Sequence, residues 1–296
     1  MACPVDLHLH SHFSDGTWSP EALVSHAVEL GMEYIALTDH DTMDGIEEAQ
    51  SALLALGDSS EAARQLVLLP AIEINCLWQY EGVYHDVHIL GYLPDKSARA
   101  LVEVMDLQRQ ARLEQLHLSL EKINDSLKGR MSVTFEDVQA CAGKGNIGKA
   151  HLTEALVRVG AACDLMDAYE RFTAKTAPCY VQRQSVSPFQ ALTAIKAAGG
   201  FSSIAHPGSE THMPLLLAQL IDAGLEGIEA YHRIHSEAVR KHYVDLAQEK
   251  NLLVTGGSDC HGPFQSSADE EFFPSLMGTI ELPDIHSRRF LERVMN

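Results

Sequence analysis

Asp6-Leu7-His8-Leu9-His10 reads as a short strand that ends in metal-ligand chemistry. Side chains alternate along a strand, so His8 and His10 share one face while Leu7 and Leu9 take the other. Asp15 arrives from the loop that follows. Two imidazoles and a carboxylate that converge in this way suit a borderline divalent cation taking nitrogen and oxygen ligands. Taken alone, the stretch also fits two surface histidines on an edge strand. Further stretches carry the same residue types: Asp39-His40-Asp41, Glu73 inside an apolar run, His85-Asp86-Val87-His88, Ala205-His206-Pro207, and Gly257-Ser258-Asp259-Cys260-His261-Gly262.

The elements that must position these residues follow from hydrophobic pattern and capping. Ser19-Pro20-Glu21 is a helix start, with serine at the cap, proline at the first position and an acid in the first turn. That helix runs to Gly31, and Tyr34–Thr38 is a compact apolar strand. A helix over Asp44–Leu56, a buried strand over Leu66–Ile74 and a strand over Val87–Tyr92 come next. From Lys96 to Leu127 the pattern is that of a long helix, followed by helices opening near Thr134, across Ile147–Val159 and around Asp164–Phe172. Residues 94–184 carry no strong strand signal and read as a helical insertion in a barrel-like body made of residues 1–93 and 185–296. Ser187-Pro188 repeats the capped helix start, with that helix ending at Gly199-Gly200. Strands over Phe201–Ala205, Gly227–Tyr231 and Leu252–Gly256 then alternate with helices near Pro214–Ala223 and Ser236–Lys250. About seven strands in mostly βα alternation predict an α/β fold with a largely parallel sheet. His8, His10, His40, Glu73, His206 and Asp259 are expected where strands end, the face at which parallel barrels gather their active sites.

Composition narrows the function classes. A chain of 296 residues with 46% hydrophobic content allows one α/β barrel or two smaller domains with a sizeable core. A formal net charge of −19 argues against a broad basic groove for long nucleic acid, while leaving a small phosphorylated substrate open. Two or three divalent ions would add about four to six positive charges to one cleft and dominate its field. No apolar run approaches a membrane span and nothing near Met1 reads as a signal peptide. Six cysteines without a CxxC pair suit reduced thiols in the cytoplasm.

Together, HxH, TDHD at Thr38–Asp41, the interior Glu73, HILG at His88–Gly91, AHPG at Ala205–Gly208 and GSDCHG at Gly257–Gly262 resemble the PHP family of metallo-phosphoesterases. The resemblance spans nearly the whole chain. It is closest to the branch of 3′,5′-nucleotide bisphosphate phosphatases and 5′-to-3′ exoribonucleases of short RNA. It implies a distorted (β/α)7 barrel holding two or three divalent ions, commonly manganese, with iron or zinc as alternatives. The implied ligands are His8, His10, Asp15, His40, Glu73, His88, His206, Asp259 and His261. Here His88 is favoured over His85, and Asp39 and Asp41 are expected to orient imidazoles from behind. His12, His232 and His235 are expected as outer partners, substrate contacts or solvated groups.

Phosphate-monoester hydrolysis needs a strong nucleophile and neutralised phosphoryl oxygens, and clustered ions supply both. Glu73 is the natural carboxylate to bridge two ions, and Asp259 or His261 could protonate the leaving oxygen. Lys149, Arg233, Lys175 and Arg183 are candidates to grip a second phosphate, with His151 and His232 as further substrate contacts. Relatives often place arginine beside the insert histidine and after AHPG, where this chain has Lys149-Ala150-His151 and Ser209-Glu210. Lysine keeps the charge and loses the bidentate fork that matches phosphate. The expected substrate is a nucleoside 3′,5′-bisphosphate or a short 5′-phosphorylated RNA. The alternatives are histidinol phosphate and a non-catalytic domain whose ions are structural.

Overall fold

One sheet of seven strands runs in chain order: β1 (Val5–Leu9), β2 (Tyr34–Leu37), β3 (Val67–Tyr80), β4 (Val83–Tyr92), β5 (Phe201–Ile204), β6 (Gly227–Tyr231) and β7 (Leu253–Gly256). The computed structural model describes residues 4–58, 60–265, 272–273 and 276–295. β1, β2 and β3 pair in parallel, as do β5, β6 and β7. The ends of the sheet approach each other, because Asp259 N–H donates to His8 O (3.0 Å) and His10 N–H donates to Cys260 O (3.0 Å). The sheet is thereby nearly closed into a barrel, a mixed (β/α) barrel.

Strand β4 departs from the expected alternation. It runs antiparallel to both β3 and β5. β3 and β4 continue past the sheet as a long hairpin, with Trp78 opposite His85 and Tyr80 opposite Val83. Glu81 and Gly82, both at positive φ (50° and 79°), make the two-residue turn whose twist matches a hairpin. The predicted strands, Leu66–Ile74 and Val87–Tyr92, stop short of this extension. In consequence Glu73 lies inside β3 and not at a strand's end, while His88 lies inside β4 as expected.

Helices α1 (Pro20–Glu29), α2 (Ile46–Gly57) and α3 (Glu61–Gln65) precede the hairpin. Ser19 and Ser187 cap their helices as expected, accepting from Ala22 N–H and Gln190 N–H. Between β4 and α8 (Pro188–Ala197) come α4 (Arg99–Leu127), α5 (Phe135–Ala142), α6 (Lys149–Arg158), α7 (Leu165–Ala168) and a π-helical turn at Tyr169–Thr173. α9 (Met213–Asp222) and α10 (Glu237–Glu249) alternate with the last strands. A small hairpin, β8 (Phe264–Gln265) and β9 (Phe272–Phe273), and α11 (Asp284–Met295) follow; α3, α11 and this hairpin were not anticipated.

Buried apolar side chains fall into two clusters. The barrel core joins Leu7, Leu9, Ile35, Leu37, Ile72, Ile89 and Ile228 to the flanking helices. The other holds Leu116, Leu120, Ile123, Val138, Leu156 and Phe172, all from the helical stretch after β4. α4 serves both, with Leu101 and Val104 in the barrel core and Leu116 onward in the second.

Candidate metal centre

The polar residues of the first strand are buried because neighbouring loops fold over them. His8 and His10 are fully buried on one face at the end of β1. The loop after β7 passes so close that a Cβ on Gly257 would lie 2.4 Å from the His8 Cβ, a contact only glycine avoids. That approach delivers Asp259 and His261 to the same place. His40 follows β2 and pairs with Glu73 through an isolated backbone bridge. His206 follows β5 and His88 faces inward from β4. Asp41, His206 and Asp259 sit at positive φ (57°, 25° and 54°), as residues held at a working site often do.

Glu73 is the hub. Its Oε2 lies 2.7 Å from His40 Nδ1 and 3.2 Å from both His8 Nε2 and His10 Nε2. Its Oε1 lies 2.9 Å from His88 Nδ1 and 3.2 Å from His206 Nε2. Asp259 Oδ1 is 3.2 Å from His10 Nε2 and 3.5 Å from His8 Nε2. Asp15 Oδ1 is 3.2 Å from His261 Nε2 and 3.7 Å from His40 Nε2. Four overlapping groups of ligand atoms result: His10, Asp15, His40 and His261; His8, Glu73 and His206; His8, His10 and Asp259; His40, Glu73 and His88. Their union is the set of nine residues named from the resemblance.

The donor set fits divalent ions. His8 Nε2, His10 Nε2, Asp15 Oδ1, His40 Nδ1 and Glu73 Oε2 are buried without a hydrogen-bond partner of acceptable geometry, although they face one another. Atoms that share an ion at about 2.0–2.2 Å stand roughly this far apart. Burial pushes the Glu73 carboxyl up, but His40, His8 and His88 together hold it well below the usual carboxylate range. Asp15 and Asp259 are likewise depressed against burial, the first by His40 and His261, the second chiefly by His8. Burial opposes charge on His261, but Asp15 and Asp259 outweigh it and push its pKa up to about 10. Protons on imidazoles thus balance buried carboxylates, and bound ions would displace them.

A profile of the PHP domain matches residues 6–177. The chain belongs to the PHP family. It is 30% identical to the 5′-3′ exoribonuclease Rnm of Escherichia coli over 262 residues, covering 87% of this chain and 85% of that one. It is 31% identical to the 3′,5′-nucleoside bisphosphate phosphatase of Chromobacterium violaceum over 274 residues, covering 90% of each. A solved structure from Bifidobacterium adolescentis, described as a metal-dependent phosphoesterase, superposes with a TM-score of 0.80 at 31% identity, covering 98% of this chain and 96% of that one. The protein is accordingly a hydrolase, a metal-dependent PHP phosphoesterase.

Around the PHP centre, the supporting residues differ from those expected. Glu229, inside β6, orients the first imidazole: its Oε1 lies 3.0 Å from His8 Nδ1, and its Oε2 accepts from His206 N–H at 2.8 Å. Sequence reading missed Glu229, although a charged residue in an apolar strand is the same signal that marked Glu73. Among the described residues Asp39 bonds to no imidazole; it accepts from Ser11 N–H, Ser11 Oγ and Ser14 Oγ, each at 2.7 Å, and so fixes the loop after His10, where Ser14 Oγ lies 3.5 Å from His10 Nδ1. Asp41 faces away from the histidines and binds the Arg112 guanidinium, with Arg183 Nη1 3.7 Å distant. His232 Nε2 is buried 3.5 Å from Asp259 Oδ2, beside the centre. His235 donates from Nδ1 to Ala230 O (2.9 Å) and accepts at Nε2 from Gly208 N–H (3.1 Å), a structural role. His12 is 44% exposed and faces Glu48.

A cavity of about 610 Å³ opens beside Asp15, His40 and His88 toward the insert, walled by Arg112, Lys149, Arg183, Tyr169 and Tyr180. Lys149 begins α6, with its Nζ 5.9 Å from the centre of both tyrosine rings. Burial lowers the Lys149 pKa, and no ion pair is formed by it among the described residues. Arg112 was missed by sequence reading because one arginine on a long polar helix carries no signal. Two expected substrate contacts stand differently. His151 Nδ1 accepts from Gly148 N–H at 3.0 Å, capping α6. Arg233 is exposed and lines neither cavity beside the centre, since the chain after β6 turns His232 and His235 inward and Arg233 outward. Lys175 pairs with Asp86 at 2.7 Å.

Proposed function

We propose that the protein removes the 3′-phosphate from nucleoside 3′,5′-bisphosphates and also trims short 5′-phosphorylated RNA. The observation that carries this reading is the cationic cavity beside the centre. Arg112, Lys149 and Arg183 offer a second anion site where a 5′-phosphate would rest, and Tyr169 and Tyr180 offer flat faces to the nucleoside. Lys149 is the best placed, as its ammonium forms no ion pair among the described residues and sits close to both tyrosine rings, free to meet an anion. We take His8, His10, Asp15, His40, Glu73, His88, His206, Asp259 and His261 as the holders of two or three ions, manganese foremost. When bound, the ions supply a nucleophile at neutral pH and positive charge for the phosphoryl oxygens. Glu73 suits a bridging role, because its two oxygens face different sets of histidines. The helical insertion, residues 94–184, supplies Arg112, Lys149, Tyr169, Tyr180 and Arg183 to the wall of this cavity.

A second cavity of about 330 Å³ lies on the other side of His88 and His206. It leaves room for a chain that continues past the scissile phosphate, which supports RNA as a substrate. The reduced cysteines fit a cytoplasmic protein; none of the five described is in a disulfide.

The test is phosphate release in manganese from adenosine 3′,5′-bisphosphate, histidinol phosphate and a short 5′-phosphorylated RNA. The bisphosphate is expected to have the highest kcat/KM. A histidinol phosphate value as high or higher overturns the reading. Lys149→Ala should raise KM for the bisphosphate by roughly 10- to 150-fold, the loss of one charge-assisted contact of about 1.5–3 kcal/mol. An aryl phosphate, having no second anion, should be nearly unaffected.

A further inference from the structure

Three metal-ligand side chains outside the centre converge on the wall of the second cavity. His85 stands on β4, directly opposite Trp78 across the hairpin. Glu210 and His212 come from the loop between β5 and α9, the loop that His206 opens. One ligand atom from each lies within 4.8 Å of the others. The two imidazole centres are 3.8 Å apart, and His212 Nδ1 is 3.8 Å from Glu210 Oε2. Burial lowers the His85 pKa and His212 beside it lowers it further, which favours the neutral imidazole that ligates. None of the three belongs to the nine residues of the centre, and nothing in the proposed hydrolysis uses them.

We propose that His85, Glu210 and His212 form a second, peripheral metal site that takes one borderline divalent ion such as Ni²⁺ or Zn²⁺. Two imidazoles and one carboxylate match the preferences of these ions and leave coordination positions for water. The ion would tie β4 to the β5–α9 loop. That loop is held at its start, where Gly208 N–H reaches His235 and Gly208 O accepts from the Tyr243 hydroxyl, while Ser209–Thr211 are exposed. A bound ion would therefore fix the outer half of the loop against the hairpin, narrowing the second cavity. The site does not depend on which ester the centre cleaves.

Trp78 gives a direct readout. Its ring lies 6.0 Å from His85 and 5.8 Å from His212, while the chain's other tryptophan, Trp18, packs on His26. The experiment titrates Ni²⁺ into the Mn²⁺-loaded protein in a Trp18→Phe background, following emission and counting both metals after desalting. Quenching should saturate at one nickel per chain with no loss of manganese. His85→Ala and His212→Ala, each with its manganese retained, should weaken nickel binding at least tenfold and abolish the quench. Equal nickel uptake in the parent and both variants overturns the site. So does nickel gained only in exchange for manganese, or no nickel uptake at all.

Discussion

Glu229 shows how much of a metal centre resides in residues that touch no ion. It holds the His8 side chain through Nδ1 and the His206 backbone through its other oxygen, so a single carboxylate touches two of the nine residues. Partners of this kind commonly contribute 10- to 100-fold in metal affinity. Glu229→Gln is therefore expected to weaken metal binding by about that factor with the fold intact, measured by competition against a chelator. An unchanged affinity would mean that packing alone fixes His8. The paired histidines of β4 offer a second test. His88→Ala should remove most phosphatase activity, whereas His85→Ala should leave it within a few-fold, because His88 faces Glu73 and His85 faces His212. The reverse order would move the centre along the strand. The nine residues were legible because few residue types ligate and each sat in a short local pattern. Glu229, Arg112 and the true role of Asp41 were not, because carboxylates and arginines that work through another side chain leave no spacing rule behind.

The element that joins barrel to insert is the loop after β2. Asn146 donates from its side chain to the carbonyls of His40 (3.1 Å) and Asp41 (3.2 Å), and its N–H donates to Phe13 O (2.8 Å). Asp41 receives Arg112 and the Gln108 amide from α4 and the Asn75 N–H from β3. The helices between β4 and α8 are thus anchored beside a proposed ligand. Burial pushes the Asp41 carboxyl up, and Arg112 and Arg183 more than reverse that, leaving it below the usual range. A carboxyl depressed in the folded state stabilises fully above its unfolded pKa and loses that contribution as pH falls through the folded value. Asp41→Asn should cost about 3–5 kcal/mol at neutral pH, because two buried guanidinium groups lose their charge partner. The loss should shrink in acid, where the native carboxyl also protonates; denaturant melts at several pH values would show it, and a pH-independent difference would contradict the pairing. The barrel strands were readable from their apolar runs. The β3–β4 hairpin was not, because Asn75 breaks the apolar run after Ile74, the residues beyond it keep no regular alternation, and the turn is marked only by Glu81-Gly82. The sharing of α4 between two cores was hidden for a related reason: a helix that changes partners along its length keeps a single periodicity.

At the scale of the whole molecule, the ions and the fold are one equilibrium. The proposed ligands come from β1 and the loop after it, the β2 loop, β3, β4, the β5 loop and the β7 loop, so an ion that binds only the folded chain stabilises all of them together. Each site filled at a free ion level of 100 times its Kd contributes about 2.7 kcal/mol. Stripping with chelator should lower the melting temperature and restoring the ion should recover it; an unchanged melt would show that the cluster is stable on its protons alone. The seam between β1 and the β7 loop sets a condition of another kind. His8 and His10 are synthesised about 250 residues ahead of Asp259 and His261, which close around them. At roughly 5–20 residues per second, the first two histidines wait on the order of 10–50 s for their partners. During that interval the nascent chain exposes a bare imidazole pair able to take up a borderline divalent cation. The full set of side chains proposed to hold the ions therefore exists only once the seam has shut.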